Sequence, residues 1–262
     1  MLQALSIAAT GMQAQETRIQ VIANNLANAS TPGFKVSRTR FQDLLYVTTR
    51  QAGTESSQVS YVPTGESIGL GTRTAAVDQI FTEGELQQTG NPLDVAIEGQ
   101  GFFQVSMPDG SISYTRDGSF RIDQNGRLVT LDGYPLIPGI NVPQGARNIT
   151  IGPDGTVSAL VNNATVPTQL GQLQVINFLN PAGLQPIGQN LYAQSQAAGP
   201  PQTGIAGENG FGSIQQGFLE MSNASVVQEL VDLIEAQRAY EASSKAVQVA
   251  DQMQSTANGL VQ

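Results

Sequence analysis

The first places to look for chemistry in this 262-residue chain are its glycine loops and its carboxylates. The stretch "EGQGFF", Glu98 to Phe103, sets Gly-x-Gly after the short run "DVAI", like the start of a loop whose backbone N–H groups cradle phosphates. The third glycine and the following helix are missing, so a hairpin is the better reading, and "GLGTRT" at Gly69 fails on the same grounds. "DQNG", Asp123 to Gly126, offers a fragment of a calcium loop without its alternating ligand ladder or closing glutamate, so a turn between "FRI" and "RLVTL" fits better. The carboxylate pairs Glu83 with Glu85 and Asp94 with Glu98 are of the type a glycosidase uses, but no aromatic sugar platform accompanies them. Cysteine and histidine are absent, which removes disulfides, thiolate and imidazole metal ligands, and nucleophiles activated by histidine. Lys35 and Lys245 are the only lysines, so a Ser-Lys dyad has few places to form. The expectation is a protein that is not an enzyme, with no catalytic residue, cofactor or metal.

The elements around these residues are more informative. Near the start, Leu2, Leu5, Ala9, Met12, Glu16, Ile19, Ala23 and Leu26 follow one another at spacings of three and four. Glu16 aside, that is the seam of a coiled coil, and it predicts a helix from Gln3 to Ala29, about 40 Å long, stopped by Pro32-Gly33. Near the end, Ser225 with Gln228 makes a capping box. Val226, Leu230, Leu233, Gln237, Tyr240, Ser244 and Val247 then repeat at spacings of four and three, with Val227, Ile234 and Ala242 widening the stripe. This predicts a second helix from Ser225 to Gly259. From about Gly84 to Gln216 the period changes to short alternating or apolar runs separated by Pro-Asp-Gly, Gln-Asn-Gly and Asp-Gly turns, the signature of strands and hairpins. Two polar stretches, "YVTTRQAGTESSQVSYVPTGESIGLGTRTAAV" and "QSQAAGPPQTGIAGENGFG", join the parts, and their composition suits flexible linkers and irregular hairpins equally.

The expected class is α+β. Residues 1–32 and 217–262 form a terminal helical domain, 33–83 an extended connecting region, and 84–216 a β-rich domain inserted between the helices. Charged residues make up 13% of the chain, against a usual share near 25%, so the surface is covered by uncharged polar groups that cost little to desolvate against a neighbour. The net charge is −9. Residues 1–40 carry +3 through Arg18, Lys35, Arg38 and Arg40 against Glu16, whereas residues 217–262 carry −4, so the two ends are complementary. An acidic chain without a basic stripe argues against nucleic acid. The first fifteen residues have neither a basic flank nor a continuous apolar run, so a signal peptide and a membrane helix are not expected.

The motifs also carry a resemblance. "ANNLANASTPGFK", "DVAIEGQGFFQV", "YTRDGSF" and "SNASVVQELVDLIEAQRAYEASSKAV" resemble, in order and over essentially the whole chain, the rod and hook proteins that form the axial family of the bacterial flagellum. Within that family the length, the "FQDLLYVTTRQAG" continuation and the stretch to "IGLGTR" are most similar to the distal rod members, with a proximal rod or hook subunit as the alternative. Pro32 departs from the common pattern and only strengthens the helix stop.

The resemblance implies a subunit that polymerises with itself into the rigid rod of the basal body, which crosses the periplasm as a drive shaft between motor and hook. Its implied partners are proximal rod proteins, hook or hook-junction proteins, the peptidoglycan and outer-membrane ring proteins, and the flagellar type III export apparatus, which needs no cleaved signal. The helices would line the tube. Expected subunit contacts are Leu2, Leu5, Met12, Ile19, Asn24, Asn25, Leu26 and Asn28 on the first helix, and Val226, Leu230, Leu233, Ile234, Gln237, Arg238, Tyr240 and Val247 on the second. Pro32, Gly33, Phe34 and Lys35 would form the bend towards the outer domain. The stretch marked by Tyr46, Gln51, Tyr61 and Thr64 would stiffen the polymer. A secreted β-rich binder trimerised by its helices and a hydrolase stand as readings from other classes.

Overall fold

The computed structural model describes residues 2–51, 55–57, 60–61, 63–161 and 166–259. It is an α+β structure, with helices α1, Leu2–Ala27, and α2, Val226–Gly259, and many strands between them in sequence. Helix α1 ends two residues before the predicted stop. Asn28 turns the chain there, its carbonyl accepting the Thr31 N–H at 3.1 Å and its side-chain oxygen accepting the Thr31 hydroxyl at 3.2 Å. At the start of α2 the Ser225 carbonyl accepts the Glu229 N–H at 2.9 Å, but Gln228 does not reach back to a cap. Its amide donates forward to Asp232 at 3.4 Å, one turn along the same helix face.

The chain falls into two compact units. The first lies within Met1–Leu26, Ser37–Asp78 and Ser225–Gln262. Beside the helices it holds β1 (Ser37–Asp43), β2 (Tyr46–Arg50), β3 (Glu55–Ser57), β4 (Ser60–Tyr61), β5 (Glu66–Gly69) and most of β6 (Thr72–Gln79). β1 pairs with β6, β2 with β5 and β3 with β4, so the first polar stretch forms nested ribbons rather than a loose tether. Gly71, at φ +117, brings this ribbon onto α1. A Cβ there would overlap the Thr10 hydroxyl, which accepts the Thr72 N–H at 3.4 Å.

The helices run antiparallel. A Cβ on Gly11 would meet the Ser243 hydroxyl at 3.5 Å, and Asn25 bonds Glu229, so fourteen residues forward along α1 match fourteen back along α2. The faces that meet are small or polar: Ala14, Ile22 and Asn25 are buried on α1, and Glu229, Ala236 and Ala250 on α2. At about 100° per residue, Ala14 and Asn25 lie more than a quarter-turn from the centre of the stripe that the spacing of bulky residues predicts on α1, whereas Ile22, Glu229, Ala236 and Ala250 lie on the flanks of the two stripes. Bulk marked one stripe, whereas close helix approach selected alanine.

The second unit, Ala27–Val36 with Gln79–Ala224, includes the Pro32-Gly33 turn, a placement the sequence reading did not anticipate. Its strands are β7 (Leu86–Gln88), β8 (Val95–Glu98), β9 (Phe103–Ser106), β10 (Ile112–Thr115), β11 (Arg121–Ile122), β12 (Leu128–Val129), β13 (Leu136–Ile137), β14 (Arg147–Ile151), β15 (Thr156–Leu160), β16 (Thr168–Gln172), β17 (Gln174–Asn177), β18 (Gln185–Gly188), β19 (Leu191–Ala193), β20 (Gln202–Ile205), β21 (Ser213–Gln216) and β22 (Phe218–Glu220).

A five-stranded sheet runs in the order β13-β9-β10-β19-β18, and a three-stranded one in the order β14-β15-β16. β8 pairs antiparallel with β21, β7 with β22, and β17 with β20. The second polar stretch thus supplies a paired strand, and its Ala198 and Ala206 are buried. Strand alternation splits Phe102 from Phe103. Phe103 packs in the main core with Val95, Ile97, Val105 and Phe120, while Phe102 joins Tyr114, Ile176, Phe178 and Tyr192 in a second cluster.

Candidate functional site: a buried clamp and an uncovered helix face

Lysine and arginine keep their charged ends in water unless an anion accompanies them inward. Lys35 and Arg116 are both buried in the second unit, and both meet Glu220. Lys35 Nζ lies 2.6 Å from Glu220 Oε1, and Arg116 Nε lies 2.8 Å from Oε2. The remaining donors are also engaged. Lys35 Nζ donates to the Thr82 carbonyl at 2.6 Å, and one terminal nitrogen of Arg116 donates to the Gly99 and Gly101 carbonyls at 2.9 and 2.7 Å. The Gly84 N–H donates to Glu220 Oε1 at 2.9 Å.

The Gly-x-Gly loop therefore presents carbonyls to a guanidinium, the opposite polarity to a phosphate cradle. Its neighbours are equally committed: Asp123 accepts from Asn125, Arg127 and its own turn, and Glu98 accepts from Ser213 and Gln215. Among the described residues no cluster has the make-up of a metal site.

Glycine is required where the chain passes the clamp. Gly33 has φ +70, and a Cβ on it would lie 2.6 Å from the Asp117 nitrogen. Its N–H donates to the Glu220 carbonyl at 2.8 Å. Three residues beyond Glu220, Asn223 joins the other passing segments. Its side-chain oxygen accepts the Val36 N–H at 2.8 Å, and its amide donates to the Ile80 carbonyl at 2.8 Å and the Thr82 hydroxyl at 2.9 Å. Residues 33–36, 80–84 and 220–223 are thus held side by side.

Sequence reading gave Lys35 a place in the bend and missed Arg116, Glu220 and Asn223 as its company. The usable signal was a charge set against an otherwise apolar or alternating run, Lys35 between Phe34 and Val36 and Arg116 after the alternating "SISYT". Charge complementarity of the two ends does appear here as Lys35 with Glu220, and in the first unit as Arg18 with Asp232 and Glu235 at 3.4 and 3.7 Å.

In the first unit Asn25 makes the equivalent link. Its oxygen accepts the Ser37 N–H at 3.0 Å, while its amide donates to the Ser37 carbonyl at 2.9 Å and to Glu229 Oε2 at 3.2 Å. It is fully engaged within its own chain, whereas Asn24 is exposed and Asn28 half-buried. Of the other expected contact residues, Leu5, Met12, Ile19, Leu26, Leu233 and Val247 are half-buried, while Gln237, Arg238 and Tyr240 are exposed. In the bend, Pro32 and Phe34 are half-buried. In the ribbon, Tyr46, Gln51 and Thr64 are exposed. The side chains of Leu2 and Tyr61 lie outside the described residues.

A row of open apolar residues sits on α2, on the side turned away from α1. Val227 is 74% exposed, Leu230 44%, Val231 46% and Ile234 50%, with Val226 beside them at 46%. Spacings of three and four put Val227, Leu230, Val231 and Ile234 on one face.

Three family models match the chain: "Flagella basal body rod protein" over residues 5–35, "Flagellar hook protein FlgE/F/G D1 domain" over 96–159, and "Flagellar basal body rod FlgEFG protein C-terminal" over 215–260. Among similar curated proteins, the "Flagellar basal-body rod protein FlgG" of Buchnera aphidicola subsp. Schizaphis graminum is 51% identical over 253 residues, 97% of each chain. That of Agrobacterium fabrum is 51% identical over 255 residues, again 97% of each, and that of Borreliella burgdorferi 46% over 262 residues, 99% of each.

The two lysines give an internal comparison. Lys35→Met leaves Glu220 with Arg116 and the Gly84 N–H but removes one of its two ion pairs and the donor to the Thr82 carbonyl, and is expected to lower the unfolding free energy by about 1–3 kcal/mol in urea titrations. Lys245→Met removes an exposed charge and is expected to change it by less than about 0.5 kcal/mol.

Acid should act with opposite sign on the two units. Burial by itself would raise the Glu220 carboxyl, but Arg116, then Lys35 and the Gly84 N–H, outweigh it and hold the group below its ordinary 4.5. Its contribution is present above pH 4.5 and is lost as pH falls through the lower folded value. Glu229 is raised by burial, with Asp232 adding to the effect and Asn25 and Arg38 opposing it. Its contribution is present below pH 4.5 and is lost as pH rises through the higher folded value. Amide exchange, corrected for intrinsic rates, is expected to show the second unit weakening below pH 4.5 while the α1–α2 contact does not. Glu220→Gln and Glu229→Gln should each flatten the corresponding slope.

Proposed function

The chain belongs to the flagellar rod and hook protein family, and on that premise we propose that it is a structural, non-enzymatic subunit of the basal-body rod that polymerises with copies of itself. The observation that carries the reading is the row Val227, Leu230, Val231 and Ile234, open on the far side of α2. Full burial of such a side chain contributes roughly 1.5–3 kcal/mol, so covering the exposed half of each contributes about 1 kcal/mol. A single contact of that size is weak, and a lattice repeating it over several neighbours is stable. Exposed ion pairs, at about 0–1 kcal/mol, would set orientation rather than strength.

In this reading residues 1–32 and 217–262 form the coiled-coil-like lining of a tube, 33–83 are the connecting ribbon, and 84–216 are an inserted β domain on the outside. The flank of α1 carrying Leu5, Met12, Ile19 and Leu26 joins Val226, Leu230, Ile234 and Tyr240 of α2 in contacts between copies. Asn25 supports them from within by fixing how its own helices meet. The assembly is the distal rod, the drive shaft through the periplasm to the hook. Its partners are proximal rod proteins, hook or hook-junction proteins, the surrounding ring proteins and the type III export apparatus. A proximal rod or hook subunit is the alternative.

The ribbon supports a stiffening role. Every side chain of β2 is exposed, as is Ile68 on β5, and a two-stranded ribbon with no buried face is marginal alone. Further subunits covering it would resist sliding past one another.

Ile234→Asp is the sharper test of the helix face, because Ile234 is 50% exposed whereas Leu233 next to it is half-buried. The variant is expected to keep its circular dichroism and β-unit protection while failing to form filaments at high concentration or rods in cells; normal rods would defeat the proposal. Deleting residues 51–64, part of which lies outside the described residues, is expected to give curved or flexible rods in electron micrographs. Straight rods of unchanged stiffness would remove the ribbon from the account.

A further inference from the structure

The order in which the second unit can close follows from where its charges lie in the chain. Among the described residues, the buried cations of this unit are Lys35 and Arg116, and both pair with Glu220, 185 and 104 residues further on. Strand β8, whose Val95, Ala96 and Ile97 are almost wholly buried, pairs with β21. Ile214 on that strand completes the main core, and β22 pairs with β7. Gly212 lies against the Glu98 and Gln100 carbonyls so closely that a Cβ there would sit 2.6 and 3.0 Å from them. Asn223 then joins Val36, Ile80 and Thr82.

We propose that residues 212–224 are a closing segment, without which the β unit does not complete its fold, because Glu220 is the carboxylate that both cations of the unit bond as they are buried. A chain emerging from its N-terminus presents Lys35, Arg116 and the strands between them long before Glu220. Until then Lys35 and Arg116 retain their water, since burial without an anion is strongly unfavourable. Hydrated cations at these two positions hold the Gly99–Gly101 loop and the Gly33 turn apart, so a compact but incomplete unit is disfavoured. The chain stays open while it is being delivered and closes when its last strand arrives. This inference does not rest on the assembly reading: a subunit that never polymerised would close in the same order.

Refolding of the full chain from urea, with deuterium pulses and fragment mass spectrometry, tests the order directly. Amides of β8, β9 and β10 are expected to gain protection with the same time constant as those of β21 and β22. Protection of β9 and β10 arriving tenfold or more earlier overturns the proposal. A second measurement separates closure from local packing. In full-length Glu220→Gln, protection is expected to fall throughout β8, β9, β10 and β19, by roughly 100-fold or to nothing. A loss confined to residues 82–85 and 218–224, with β9 and β10 protected as in the parent chain, overturns it as well.

Discussion

Glu220 is the carboxylate that both buried cations of the β unit bond, and the path of the chain through that unit depends on this pairing. A buried ion cluster adds little net stability over an apolar core, because desolvating the charges cancels most of their attraction. It does make alternatives expensive: any other path leaves a lysine or an arginine in the interior without an anion. The backbone contacts around it have the same character. Gly33 passes where only a glycine fits, Gly99 and Gly101 give their carbonyls to Arg116, and Asn223 holds three segments with one amide. Residues 33–36 and 220–223, the segments that lead to the two helices, are fixed beside each other as a result.

The helical unit follows a different logic. Its internal pairing uses small and polar groups, with Ala14 and Ile22 on α1, Ala236 and Ala250 on α2, and Asn25 bonded to both Ser37 and Glu229. Val227, Leu230, Val231 and Ile234 of α2 are left exposed. A protein meant to remain alone would bury them against its own first helix. In the proposed assembly their burial is left to contacts with other copies, while the polar links define the register of the two helices within the chain.

How much of this was legible depended on distance along the chain. Both helices were readable because a 3.6-residue period is a local property, and the strands because Asp-Gly and Asn-Gly turns punctuate them. The meeting face of the helices was not readable: a heptad reading follows Leu, Ile and Met, whereas close approach is made by alanines that carry no pattern of their own. Nor could composition decide between tether and ribbon for residues 46–77, since Thr, Ser and Gly serve both. The pairing of Lys35 with Glu220 was hinted at by the opposite charge of the two ends, but a partner 185 residues away cannot be identified without the fold. Asn25 was expected to contact other subunits; its hydrogen bonds in the structure run to Ser37 and Glu229 within the chain.

The claim on which the account turns is that α2 keeps one face for its own chain and gives the other to a second copy. A photo-reactive phenylalanine analogue placed singly at Ile234 or at Ser243, in cells building flagella, tests it most directly. The account predicts chain-to-chain adducts from position 234 and, from position 243, adducts within the chain to α1 near Gly11. Adducts between copies from 243 and none from 234 would contradict it.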